Sequence, residues 1–198
     1  MFLNLSSVDG ECFQMPNPGG LSTVLAVTSR TIAGSWPRVQ FNPDGSINYA
    51  ASSFTEGGEV KELPLLLPDK NGVAGAWSQY MFPNGTAMCD CDSSGDNGYQ
   101  SYKHSVELMM AGFSVTLRAE MRKHLNAGTV YIMQMKGGEF VVVGSSDDPI
   151  FAKTSFKGGK SGKDKRGYTL KGDSDGMMWD FLVVPPALVA QMVVNPLA

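Results

Sequence analysis

The clearest pattern along the chain lies in "YKHSVELMM". Tyr102, His104, Val106, Leu108 and Met110 fall on one side, and Lys103, Ser105 and Glu107 on the other. A repeat of two is the side-chain period of an extended strand, so this alternation predicts a half-buried antiparallel strand. Leu21, Thr23, Leu25 and Val27 alternate with smaller or polar residues and predict another, after a loop marked by Pro16, Pro18, Gly19 and Gly20. "TVYIMQM" and "EFVVVGS", joined through Lys136, Gly137 and Gly138, predict a hairpin. "RGYTLKG" and "WDFLVV" supply two further strands, the second stopped by Pro185 and Pro186. The period changes once. Leu117, Met121 and Leu125 recur at four-residue spacing and predict a short helix, capped by Thr116 and ended by Asn126 and Gly128.

Other segments carry turn and edge signals. "FNPDGSINY" places Pro43, Asp44 and Gly45 between two β-favouring ends, the composition of a tight turn. In "ELPLLLPDKNG" Pro64 and Pro68 bracket Leu65, Leu66 and Leu67, which excludes a helix and predicts an edge or an arm that includes Lys70. "NGTAMCDCDSSGDNG", residues 84 to 98, contains no basic residue and reads as an exposed acidic loop. The tail "ALVAQMVVNPLA" is apolar enough to want a partner surface. Together these elements predict a mainly β (α+β) fold, an antiparallel sandwich or barrel with one short flanking helix. No repeat of solenoid period is visible. The simplest organisation is one domain over residues 1 to 198, with extended loops at about 56–72, 84–100 and 151–167 and a tail at 185–198.

Charge changes the picture at one place. Residues 153 to 172, "KTSFKGGKSGKDKRGYTLKG", hold Lys153, Lys157, Lys160, Lys163, Lys165, Arg166 and Lys171 against Asp164 alone. That segment is +6 within a chain of formal charge −3, so the remainder carries −9. Such polarisation favours electrostatic contact with another copy, another protein or a phosphate backbone. Met1 to Leu5 is short and lacks a basic residue, so no signal peptide is expected there, and no run approaches a membrane span. Cys12, Cys89 and Cys91 do not form a disulfide framework, in keeping with a reducing compartment.

Candidate chemistry weighs against an enzyme. "GGKSGK" has the flavour of a phosphate loop, but a Walker A motif needs glycine where Thr154 stands, and a strand rather than a helix is expected after it. "DCDSSGD" from Asp90 to Asp96 spaces oxygen ligands as a calcium loop does, yet its twelfth position is Ser101 rather than a bidentate glutamate. An acidic turn is the better reading. One residue separates Cys89 from Cys91, which is poor spacing for zinc. His104 is expected to be a packed or interface residue, and His124 to lie at the surface near a helix end, where its cation would favour the dipole. No serine sits in a nucleophile elbow. The twelve methionines read mainly as core, whereas Trp36, Trp77 and Trp179 hint at contact surface.

Three segments in order, "NPGGLSTVLAV", "GGEFVVVGSSDDPIF" and "GGKSGKDKRGYTLKGDSDG", carry a resemblance. The chain resembles tailed-bacteriophage virion proteins of the tail-tube or tail-ring type over about residues 12 to 184, best from Tyr102 onward. One departure is Arg166, where an asparagine often stands in that family. The resemblance implies a tail-tube-like fold and a structural, non-enzymatic protein without cofactor or metal. It would be made in the host cytoplasm and located in the virion tail. Its copies would assemble into hexameric or similar rings, next to other tail or connector proteins, and DNA would pass through the channel without sequence-specific binding or any membrane contact. A head-to-tail connector ring of the same fold is the alternative within that family. Subunit contacts would fall on Lys157, Lys160, Lys163, Lys165 and Arg166, and on Leu65, Leu66 and Leu67. A different class remains open: a nucleic-acid-binding module using the basic loop 153–171.

Overall fold

The computed structural model describes residues 19–69, 72–161 and 163–195. Expectations for Met1 to Leu5, Cys12, Pro16, Asn17, Pro18, Lys70 and the last three residues of the tail lie outside the described residues. In chain order the elements are β1 (Leu21–Thr28), β2 (Ser78–Tyr80), β3 (Ala87–Ser94), β4 (Ser101–Ala111), α1 (Val115–Lys123) and β5 (Gly128–Met135). Then follow β6 (Phe140–Val143), β7 (Ile150–Phe151), β8 (Lys153–Lys157), β9 (Gly167–Met177), β10 (Leu182–Val184) and α2 (Pro186–Val189).

The fold is mainly β, with two antiparallel sheets flanked by the short helix α1. The first sheet runs β10-β6-β5-β1-β2, with β7 also paired to β5, and the second runs β3-β4-β9-β8. Between them lies one core cluster, with Val24, Ala26, Tyr131, Met133, Val141 and Val143 from the first sheet meeting Val106, Leu108, Met110 and Leu170 from the second. Full burial of one such side chain contributes about 1.5–3 kcal/mol, enough in sum to fix the facing of both sheets. The alternation of β4 is realised: His104, Val106, Leu108 and Met110 are buried while their neighbours are not.

The first sheet is covered on its other face as well. Leu25, Val27, Val130, Ile132, Val142 and Leu182 form a second cluster with Ile32, Trp36, Phe54, Val60 and Trp77 from the irregular segment that follows β1. That double burial explains why β5 reads as a continuous apolar run rather than an alternating one. β7 and β8 carry one chain from the first sheet to the second, turning at the buried Ala152. The corner presses on β9, where a Cβ on Gly172 would stand 2.7 Å from Ile150 Cγ2 and 2.9 Å from Ala152 Cα, so only glycine fits.

Several expectations are corrected. The supposed acidic loop is largely strand β3, since Ala87, Cys89 and Cys91 face Leu108, Val106 and His104 across the ladder while Asp90 and Asp92 face outward. The turn at 84–86 before Ala87 and the one after Ser94 are irregular. The basic loop is shorter than expected, because Lys153 and Lys157 belong to β8, which leaves 158–166 as the connection. The helix cap is Ser114, whose Oγ accepts from the Leu117 amide at 3.0 Å, and not Thr116. Leu125 lies beyond the helix and is exposed, and Gly128 opens β5. Trp36 and Trp77 are core residues in edge-to-face contact, with ring centres 6.3 Å apart. The tail docks on its own chain: Leu188, Val189 and Met192 pack on the second cluster, and Trp77 pairs with Val194.

Candidate assembly surface

The second sheet has a covered face and an open one, and its two edge strands carry opposite charge. β3 bears Asp90 and Asp92 and no cation; β8 bears Lys153 and Lys157 and no anion, with all five of its residues exposed. On the open face the strands between them pair their charges internally. Lys103 Nζ lies 2.8 Å from Asp173 Oδ2, and Lys171 Nζ 2.8 Å from Glu107 Oε2. These exposed bridges add little stability, but they satisfy the middle of the sheet and leave net charge at its margins.

The connection from β8 to β9 is organised from within. Asp164 Oδ2 accepts from the amides of Lys160 at 2.6 Å and Ser161 at 2.8 Å, and its own amide donates to Ser161 O at 3.1 Å. Those two backbone hydrogen bonds hold the Asp164 carboxyl below its ordinary pKa. Two amides of "GGKSGK" that would face a phosphate, those of Lys160 and Ser161, are therefore already occupied, and strand β9 follows the loop where a P-loop requires a helix. The loop presents side chains instead. Among the described residues none of Lys157, Lys160, Lys163 or Lys165 has an acidic partner, and the Arg166 guanidinium sits 5.7 Å from the centre of the Phe113 ring.

Phe113 anchors an aromatic cluster not foreseen from the sequence. Its ring is 5.1 Å from Phe156 and 6.2 Å from Tyr168, the latter stacked, and Phe156 and Tyr168 are 4.9 Å apart. Phe113 and Phe156 stay 48% and 41% exposed, although large apolar side chains gain by burial. Gly167 sets the base of the cluster, since a Cβ there would stand 2.2 Å from Met110 O, and the Gly112 amide donates to Arg166 O at 3.0 Å.

No family model matches this chain, and no curated protein or solved structure matches it either.

The expected contact residues fall into two places. Lys157, Lys160, Lys163, Lys165 and Arg166 cluster at one end of the second sheet. Leu65, Leu66 and Leu67 lie against the layer that covers the far face of the first sheet, so the sandwich separates them from the basic loop. That leucine segment is an edge stitched to its own chain: the Ala33 amide donates to Leu65 O at 2.8 Å, and the Leu67 amide to Thr31 O at 2.7 Å. Leu66 packs inward, while Leu65 is 72% exposed.

The other titratable groups are structural in their surroundings. Burial above all, with Asp90 and Cys91 adding to it, pushes the Cys89 thiol up to about 12, so its thiolate is suppressed. Burial likewise raises Cys91. His104 Nδ1 accepts from the Gly144 amide at 3.2 Å, and Nε2 lies 3.2 Å from Trp179 O, tying β4 to the end of β6. His124, expected at the surface as a cation, is buried, and desolvation holds its pKa below 6.5. It borders a cavity of about 170 Å³ shared with Tyr80, Glu120 and Thr129. No group of three or more His, Cys, Asp or Glu side chains among the described residues is placed to hold a metal ion.

Proposed function

We propose that this chain is a structural, self-assembling virion protein whose copies join into rings of a phage tail tube, with a connector ring of the same fold as the nearest alternative. One observation carries the reading: among the described residues, a single sheet ends in an acidic open edge at β3 and a basic open edge at β8. Unpaired strand edges template pairing with another chain, and natural monomers usually blunt them. Opposite charge on the two edges makes the contact heterologous, β3 of one copy against β8 of the next, which generates a ring when the rotation closes. Like edges repel, so the same charges disfavour back-to-back dimers. A subunit net acidic outside the basic segment suits a DNA conduit, because fixed cations would gain affinity by releasing counterions. Leu65 and Leu67, turned outward, offer a further contact to neighbouring virion proteins.

A second reading, a nucleic-acid-binding module, is favoured by the basic loop lying beside Phe113, Phe156 and Tyr168, since bases stack on aromatic rings.

Negative-stain electron microscopy over a concentration series, in moderate salt without DNA, tests assembly. Rings or tubes are expected for the native chain. Lys153→Glu with Lys157→Glu, and separately Asp90→Lys with Asp92→Lys, should each give dispersed subunits, and mixing the two variants should restore rings. Subunits that stay monomeric at every concentration overturn the reading. Tight oligonucleotide binding by that monomer, with a salt slope flattened by loss of the lysines, would establish the second.

A further inference from the structure

The second sheet is polarised along its strands as well as across them. At the Ser101 end of β4, residues 92–103 and 173–180 bring Asp92, Asp96, Asp173, Asp175 and Asp180 together with Lys103 as the one cation. At the Ala111 end, residues 157–166 bring Lys157, Lys160, Lys163, Lys165 and Arg166 with one anion, Asp164, whose carboxylate is spent on loop amides. Each pole also exposes aromatic surface. Tyr99, 85% exposed, stands at the acidic pole on a turn closed by its amide donating to Asp96 O at 2.9 Å. The half-exposed Phe113 and Phe156 stand at the basic pole.

We propose that the poles dock on each other between copies, so that the turn at 95–100 of one subunit seats Tyr99 against Phe113 and Phe156 of the next. Asp92 and Asp96 then face Lys163 and Lys165, which have no acidic partner among the described residues, and Arg166 beside the Phe113 ring. The inference rests on the assembly reading and adds a second direction to it, with edges joining subunits laterally and poles joining them axially. Within one subunit the contact cannot form, because β4 separates the poles by about 35 Å at ~3.4 Å per residue. A second copy is favoured over a nucleic acid because one chain supplies both halves, a ring and acids at one end and rings and cations at the other. A nucleic-acid strand would satisfy the basic pole and leave Tyr99 in its acidic surround unmatched. The contact is head-to-tail and does not close on itself, so it propagates into stacks.

The full chain carrying the photo-crosslinker p-benzoyl-phenylalanine in place of Tyr99 tests this directly. Irradiation of assembled protein followed by peptide mass spectrometry should join that position to residues 111–114 or 154–168 of another copy. In parallel, Tyr99→Ser and Phe113→Ser should each reduce stacks to single rings in electron micrographs, and Tyr99→Phe should keep them. Stacks of native length in Tyr99→Ser, or crosslinks only to other segments, overturn axial docking and leave ring assembly standing. A native chain that never leaves the monomer overturns the assembly reading and this inference together. Binding of a thymidine oligonucleotide that Phe113→Ser abolishes, with no crosslink between copies, overturns it in favour of a nucleic-acid ligand.

Discussion

Tyr80 Oη lies 2.8 Å from Nε2 of His124 and ties β2, at the edge of the first sheet, to the end of helix α1. The same hydroxyl donates to Glu120 Oε1 at 3.2 Å, and Thr129 Oγ1 stands 3.5 Å from the other imidazole nitrogen. A protonated imidazole would favour the helix C-terminus, but His124 is buried, and desolvation outweighs the attraction of Glu120. Lys123 opposes protonation too.

From this follows a pH dependence with a definite sign. His104 and His124 both have folded-state pKa values below 6.5, with burial as the main cause. The unfolded chain then binds more protons than the native one once the pH falls below about 6.5, so stability is full above that pH and declines under it. Thermal unfolding followed by circular dichroism between pH 7.5 and 5 should show a falling midpoint, flattened in His104→Gln with His124→Gln. Asp44 and Asp164, whose carboxyls are held below 3.8, titrate outside that window.

The helix start gives a second prediction. Ser114→Ala removes the acceptor for the Leu117 amide and should cost about 1 kcal/mol. Thr116→Ala, at an exposed position inside the first turn, should change stability by less than about 0.5 kcal/mol. Urea unfolding of the two variants distinguishes them.

Gly167→Ala should destabilise by about 1–3 kcal/mol, because its Cβ meets a backbone carbonyl, Met110 O, which cannot move without parting β4 from β9. Gly158→Ala is the control: its Cβ meets nothing nearer than a Phe156 ring atom at 3.8 Å and should stay within about 0.5 kcal/mol. The same urea titration reads both.

The pattern of side chains by itself determined the strands at β1, β4, β5 and β6, the hairpin between the last two, and a short helix after β4. Each of these has a period or a turn signal that local chemistry enforces. It also determined that positive charge concentrates in one glycine-rich connection. Strand β3 was hidden because its inward residues, Ala87, Cys89 and Cys91, are small, and its outward aspartates look like loop; only pairing with β4 makes them a strand. The burial of Trp36, Trp77 and His124 was likewise invisible, since it depends on a covering layer drawn from segments that lack periodicity. Tertiary structure alone placed Phe113 beside Phe156, Tyr168 and Arg166, more than forty residues further along the chain. It alone set acidic and basic charge at opposite edges and ends of one sheet, because antiparallel pairing decides which distant residues become neighbours and sequence distance does not.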